Sequence, residues 1–218
     1  AITHYLMLHP DCQDFGRKVK VSFSGCQTNP CGLVMFHDIG LIAKTAVIDG
    51  QLTRGFEFYV GGGLGSVPSQ AKLLNDFVTE GELLPLSLAV CRVFGRLGEK
   101  DNRARARLKF LVTKLGIDEF RRLVEEERAI LPEDDRWTGY LDGLGRFDFD
   151  PVREPTVLGV GPYPDGFKQW VATNVRAQKQ EGYGAVTISC PLGDLSAEQM
   201  RGLADLGRLY VGRDIRLS

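Results

Sequence analysis

The stretch GFEFYVGGGLG, residues 55–65, runs an alternating apolar pattern straight into a cluster of glycines. A strand, a glycine turn and a helix is the layout of a dinucleotide-binding α/β fold, where glycines let backbone approach a pyrophosphate at a helix N-terminus. The spacing refuses that reading. Counted from Gly61, the third position of G-x-G-x-x-G falls on Ser66; counted from Gly63 it falls on Pro68, and no acidic residue closes a second parallel strand about twenty positions on. The glycines are therefore expected to make a tight turn or to let a bulky flat ligand approach the backbone.

Upstream of this stretch, Val19, Val21 and Phe23 alternate with Lys18, Lys20 and Ser22, and residues 33–48 are apolar and β-branched in patches. Together with 55–60 they predict three strands of one sheet. Residues 1–10 carry a short helical pattern that stops at Pro10. Downstream, QAKLLNDFV (70–78) reads as a short helix and ELLPLSLAVCRVFGRLG (82–98) as a longer one, with Leu83, Leu86, Val90, Val93 and Leu97 at three- and four-residue steps. A third helix is expected from Asn102 to Leu115, capped by Asp101, with Ala104, Leu108, Leu111, Val112 and Leu115 buried. Gly116 separates it from a fourth, in which Ile117, Phe120 and Val124 face inward.

Between 131 and 164 the composition turns to Pro, Gly, Asp and Arg, which suits a connection. After it come an expected strand (167–175), a basic turn, a strand GAVTISC, a helix opened by the capping signature Ser196-Ala-Glu-Gln199, and a last strand DIRLS. The fold class is α+β, with mixed or antiparallel sheets and flanking helices in two units: 1–135, a linker 136–165, and an incomplete unit 166–218. A chain that stops inside a strand reads as a slice of something longer.

With 218 residues and 43% hydrophobic content, a sizeable core can form. The net charge of −1 offers no global field for nucleic acid, so anion chemistry needs a local basic cluster. No apolar run reaches the roughly 18 to 20 residues of a membrane span, and the N-terminus lacks a basic segment followed by a long apolar one, so neither membrane insertion nor secretion is expected. The odd, scattered set Cys12, Cys26, Cys31, Cys91 and Cys190 suits a reducing cytoplasm better than a disulfide framework.

Arg103, Arg105, Arg107 and Lys109 lie two apart, and no acid is interleaved from Asn102 to Lys114. On a helix they would flank the Leu108 stripe, either as a solvated face or as an uncompensated patch for anions. Arg17-Lys18-x-Lys20 sits at the mouth of the first strand. Cys26 and Cys31 are spaced C-x4-C, looser than a zinc knuckle, and no second ligand pair follows, so no metal ligand is assigned. No nucleophile and base pair supports a hydrolase.

As an ordered set, HPDCQDFGRKVKVSFSGC, GFEFYVGGGLG, NRARARLKFLVTKLGIDEFRRLVEEER and the segment from GFKQWVATNV to GRDIRLS resemble the sirohaem-dependent sulfite and nitrite reductases. The resemblance implies a nitrite/sulfite reductase hemoprotein-like fold: the larger unit of a first half, then the ferredoxin-like unit opening a second half. It further implies sirohaem, a [4Fe–4S] cluster, and six-electron reduction of sulfite to sulfide or nitrite to ammonia, with electrons from a ferredoxin or flavoprotein. Arg17 falls where the family's R-K-x-K motif puts an arginine on the substrate side of sirohaem, and Arg107 and Lys109 fall on its paired basic positions. Many sulfite reductases carry lysine at both, so Arg107 departs; it keeps the charge but is the poorer proton donor.

The remaining cofactor-binding positions implied are Lys18, Lys20, Arg105 and Arg216, with Gly61, Gly62 and Gly63 bringing backbone near the macrocycle. The cluster ligands, C-x5-C followed by C-x3-C, are expected outside this chain, and the segment alone is expected to be inactive. Cys26 and Cys31 then read as the non-ligating counterpart of the cluster-binding element in a duplicated fold. The competing reading is a non-catalytic module of the same fold that holds an anion or tetrapyrrole.

Overall fold

The computed structural model describes residues 1–28, 30, 32–143, 153–155, 161–178 and 180–211. The chain divides into two compact units, Ala1–Arg146 and Phe147–Ser218.

The first unit opens with α1 (Ile2–Met7), followed by a 3-10 turn at Pro10–Cys12 and β1 (Val21–Ser24). β2 (Ile39–Ile48) and β3 (Gln51–Val60) form a hairpin around Asp49 and Gly50, both at positive φ (50° and 79°), which suits a two-residue turn matched to strand twist. β4 (Lys72–Thr79) completes the sheet in the order β1-β2-β3-β4. β1 pairs parallel with β2 and the other pairs are antiparallel, so the sheet is mixed.

β4 corrects the expected helix at 70–78. Leu74 and Val78 are its buried residues, and a spacing of four fits both a helix turn and one face of a strand. The open edge of β3 decides between them: Phe56 pairs with Val78, Phe58 with Asn75 and Val60 with Lys72, with register shifts between.

The helices α2 (Leu83–Leu97), α3 (Leu108–Leu115), α4 (Ile117–Ala129) and α5 (Arg136–Gly139) follow. α2 is buried over most of its circumference, Leu84, Leu88, Ala89, Val90, Val93 and Phe94 all being nearly inaccessible. Each large side chain so removed from water contributes about 1.5–3 kcal/mol, which makes α2 the spine of this core. α4 is amphipathic instead, with Phe120 and Val124 buried and Arg122 bonding Glu119 and Glu126 outside.

α3 is shorter than its sequence pattern suggests. Residues 102–107 are not helical, Asp101 caps nothing, and Arg107 is the N-cap residue with extended backbone. The cause is local. Glu99 Oε1 accepts the N–H groups of Asp101 and Asn102 at 2.9 and 3.0 Å, and Asn102 Oδ1 accepts that of Ala104 at 3.1 Å. These side-chain bonds offer the backbone an alternative to a helix. Ala104 is consequently exposed and Ala106 buried, and Arg103 and Arg105, outside the helix, do not flank the Leu108 stripe as expected.

The second unit contains α6 (Phe167–Asn174), the short hairpin β5 (Val175–Ala177) and β6 (Gly184–Val186), and α7 (Ala197–Tyr210). α6 replaces the expected strand at 167–174. Phe167, Trp170, Val171 and Asn174 follow helical steps; the Phe167 ring stacks on Tyr163 and Trp170 with centroids 4.4 and 6.2 Å away. The capping box of α7 forms as expected, Ser196 accepting from the Gln199 N–H while Gln199 accepts from that of Ser196. The expected strand DIRLS, with Arg216, and residue Cys31 lie outside the described residues.

Candidate functional site

Strand pairing brings the site together at one end of the sheet. Ile39, the first residue of β2, pairs with Val60, the last of β3, and the Ile39 N–H donates to the Lys20 carbonyl at 3.1 Å. Lys20, Asp38 and Gly61 thus meet although the sequence scatters them. The Gly61 and Gly62 N–H groups donate to the Asp38 and His37 carbonyls at 2.9 Å each.

The glycines have separate reasons. Gly61 holds φ at 79°, costly for a residue with a side chain. A Cβ on Gly62 would stand 2.4 Å from the Met35 carbonyl oxygen, so backbone packs directly on backbone. Gly63 is looser: its Cβ would meet Lys109 Cδ at 3.1 Å and Arg107 Nη2 at 3.4 Å, both on flexible side chains. The turn is therefore a platform beneath the two basic residues at the start of α3.

Arg107 donates from Nε to Asp38 Oδ1 at 2.9 Å and from Nη2 to Asp38 Oδ2 at 2.7 Å. This fork-to-carboxylate pair is nearly enclosed, with the side chains 10% and 0% exposed. The Lys20 backbone N–H adds a third bond to Asp38 Oδ2 at 2.9 Å.

Lys109 is 4% exposed and donates from Nζ to the carbonyls of Leu64, at 3.0 Å, and Val67. Burial pulls its ammonium below the usual lysine range; Arg107 and Arg17 push the same way and Asp38 opposes them. The ammonium also lies 5.1 Å from the Phe110 ring centroid. No acidic residue sits in the first turn of α3, so the positive end of the helix dipole adds to the cationic field.

Arg17 is exposed but close enough to act on Lys109. It follows Gly16, where a Cβ would lie 2.4 Å from the Glu99 carbonyl oxygen and 2.8 Å from Ala106 Cβ, so the Arg17 and Arg105 segments are packed together. The side chains of Arg17, Lys18, Lys20, Arg103 and Arg105 are exposed and make no hydrogen bond or ion pair with another described residue.

Asp38 was not among the sequence candidates. The signal was indirect: a run of cations with no interleaved acid must find compensation elsewhere, and Asp38 stands immediately before four consecutive buried residues, Ile39 to Ile42. Cys12 and Cys91 instead lie close together on the α2 side, where Cys12 and burial push the Cys91 thiol up and Cys91 pulls the Cys12 thiol down. Among the described residues, no group of three His, Cys, Asp or Glu side chains is placed to hold a metal.

Comparison with known proteins bears on this arrangement. The family described as the nitrite and sulphite reductase 4Fe-4S domain matches residues 1–130, which contain the whole basic face. The chain belongs to the nitrite and sulfite reductase family. The nitrite/sulfite reductase ferredoxin-like half domain matches residues 176–218.

Within this reductase family the chain is 32% identical over 208 residues to the assimilatory ferredoxin-dependent nitrite reductase of Haloferax mediterranei, covering 93% of the chain and 32% of that protein. It is 36% identical over 146 residues to a sulfite reductase (ferredoxin) of Mycobacterium tuberculosis, covering 67% of the chain and 23% of that protein. The solved structure of Mycobacterium tuberculosis NirA superposes with a TM-score of 0.65 at 28% identity, over 95% of this chain and 33% of that one. The α+β fold with its mixed sheet is therefore that of a nitrite/sulfite reductase, and the chain spans about a third or less of these relatives' length. Among the described residues no helix is long and apolar enough to cross a membrane.

Proposed function

We propose that the first unit supplies the anion-binding side of a sirohaem- and [4Fe–4S]-dependent sulfite or nitrite reductase, an oxidoreductase that reduces its oxyanion by six electrons. The observation that carries this is the crowding of Arg17, Arg107 and Lys109 at one end of a sheet, with a single buried carboxylate among them. Such a concentration of cations attracts an anion into the site, and a small oxyanion beside a macrocycle rich in carboxylates is such a partner.

Sirohaem, when bound, supplies the iron at which the oxyanion is reduced. The residues fit its carboxylates: Arg17, Lys18, Lys20 and Arg105 have no acidic partner among the described residues. Gly61, Gly62 and Gly63 are assigned on the family resemblance, since their side-chain directions face Val112, Met35 and Lys109. Arg216 is assigned with them on the family resemblance alone. Cluster thiolates do not fit here, because Cys12 and Cys91 face each other inside the first unit. The cluster ligands are accordingly assigned to residues beyond this segment.

The three catalytic residues divide their work. Arg107 stays charged and binds the anion, Arg17 closes over it from the β1 side, and Lys109 both binds and releases a proton. An ammonium with a lowered pKa gives up its proton more readily than an exposed lysine, and each oxygen leaving as water consumes protons. Electrons come from a ferredoxin, as the names of the relatives say of those proteins, or from a flavoprotein. Residues 1–135 form the sirohaem and substrate unit, 136–165 a linker whose first residues pack back onto that unit through Trp137, and 166–218 a ferredoxin-like unit, in a protein of the cytoplasm; the segment alone does not turn over.

Reconstitution with sirohaem, followed by absorption spectroscopy, tests the reading. The wild-type chain is expected to shift the sirohaem bands on binding, and Arg107→Ala and Lys109→Ala are expected to weaken the shift. A chain that leaves the spectrum unchanged overturns the reading. Binding of sirohaem that persists in the reassembled full-length enzyme without turnover would favour the non-catalytic tetrapyrrole-binding module.

A further inference from the structure

The site contains one group that no anion-binding role requires. A carboxylate beside a site for anions repels the ligand, yet Asp38 is wholly buried there and makes three hydrogen bonds. We propose that Asp38 is the positioning residue of the basic face, holding Arg107 by both carboxylate oxygens and tying the start of β1 and the glycine turn into one frame that presents Arg107 and Lys109. The inference rests on the anion-binding reading above and names the group that prepares the face.

Three observations support it. First, Arg107 lies at the N-cap of α3, just after a non-helical segment, so its backbone alone leaves its long side chain unrestrained. The two bonds to Asp38, 2.9 and 2.7 Å, remove that freedom and leave the other guanidinium N–H groups for a ligand. Second, Asp38 joins segments far apart in sequence: its carboxylate accepts from Lys20 N–H and from Arg107, and its carbonyl accepts from Gly61 N–H. Third, its charge opposes the combined effect of burial, Arg107 and Arg17 on Lys109, so one carboxylate offsets the repulsion that would drive the cations apart.

Positioning and mere packing separate experimentally at Arg107. The Asn amide in Asp38→Asn keeps the shape but cannot accept from both Nε and Nη2, so a positioning role predicts a released guanidinium. If Asp38 merely packs, the isosteric amide leaves Arg107 as protected as before.

NMR titration of the Lys109 side chain in the ligand-free 218-residue chain is the test, together with hydrogen exchange at Arg107 Nε. The expected result is at least tenfold faster Arg107 Nε–H exchange in Asp38→Asn, with a displaced Lys109 midpoint. Arg107 exchange within tenfold of wild type overturns the proposal, whatever the midpoint does. Should the variant fail to fold, the wild-type chain decides: Arg107 Nε–H exchanging at least tenfold slower than that of exposed Arg105 supports the proposal, and comparable rates overturn it. These measurements need no cofactor, so a failure to bind sirohaem would overturn the proposed function and leave the positioning role of Asp38 standing.

Discussion

Trp137 donates its indole N–H to the Tyr5 hydroxyl at 2.8 Å, a buried bond across 132 positions of sequence. It ties α5 to α1, and the guanidinium of Arg128 lies 4.7 Å from the indole ring centroid while that of Arg136 lies 5.2 Å from the Tyr5 ring centroid. The segment after α4 is therefore part of the first unit's core and not a loose connection.

Tyr5→Phe leaves the buried indole N–H without its partner and is expected to destabilise the first unit by about 1–3 kcal/mol. Trp137→Ala also opens a cavity and should cost about 3–5 kcal/mol. Urea unfolding followed by circular dichroism measures both, and a Tyr5→Phe variant as stable as wild type would show that the bond contributes nothing.

Glu127 is 2% exposed and bonds Arg92 Nε at 3.0 Å and Arg96 Nη1 at 2.7 Å. Both arginines are partly solvated, so the cost of losing the carboxylate falls short of that for a fully enclosed pair. Glu127→Ala should lower unfolding free energy by about 2–3 kcal/mol. Arg96→Ala, which leaves Arg92 in place, should cost less than half as much in the same denaturation experiment.

The glycine turn predicts an ordered series. In Gly62→Ala the new methyl meets the Met35 and His37 carbonyl oxygens, 2.4 and 2.7 Å away, which cannot yield without breaking the bonds they accept from the Ala71 and Gly62 N–H groups. That variant should lose about 1–3 kcal/mol or fail to accumulate as folded protein. Gly63→Ala should fold nearly as well but displace Lys109, which its methyl would touch. Thermal melts rank the stabilities and Lys109 side-chain chemical shifts report the displacement.

Lys109 makes stability depend on pH with a definite sign. Its folded pKa is lowered, chiefly by burial, so between that value and the ordinary lysine value the unfolded chain binds more protons than the folded one. The ligand-free chain therefore gains stability as pH rises through that window, and the gain is absent below it, where both states are protonated. Lys109→Met should remove this slope. Denaturant midpoints measured across the alkaline range for both proteins check the prediction; equal slopes would refute it.

Local chemistry was readable in the chain itself. The apolar run of α2, the stripe of α4 and the capping box of α7 are each decided by neighbours within a few residues, and each forms where those residues stand. The basic character of the site was equally plain from Arg17, Arg107 and Lys109.

Partners distant in sequence decided the rest. Residues 72–79 became a strand because β3 offered an unpaired edge, and Ala106 sank against Gly16, far upstream, which reinforces the local capture of amides by Glu99 and Asn102 that keeps 102–107 out of a helix. Asp38 is the clearest case. Nothing within ten residues marks it as the counter-charge of Arg107, since the bond spans 69 positions and exists only once β1, β2 and β3 align Lys20, Asp38 and Gly61 at one end of the sheet. Sequence determined which charges the chain carries; tertiary pairing decided which of them are neutralised and which remain open to an anion, because only burial makes the choice of partner energetically decisive.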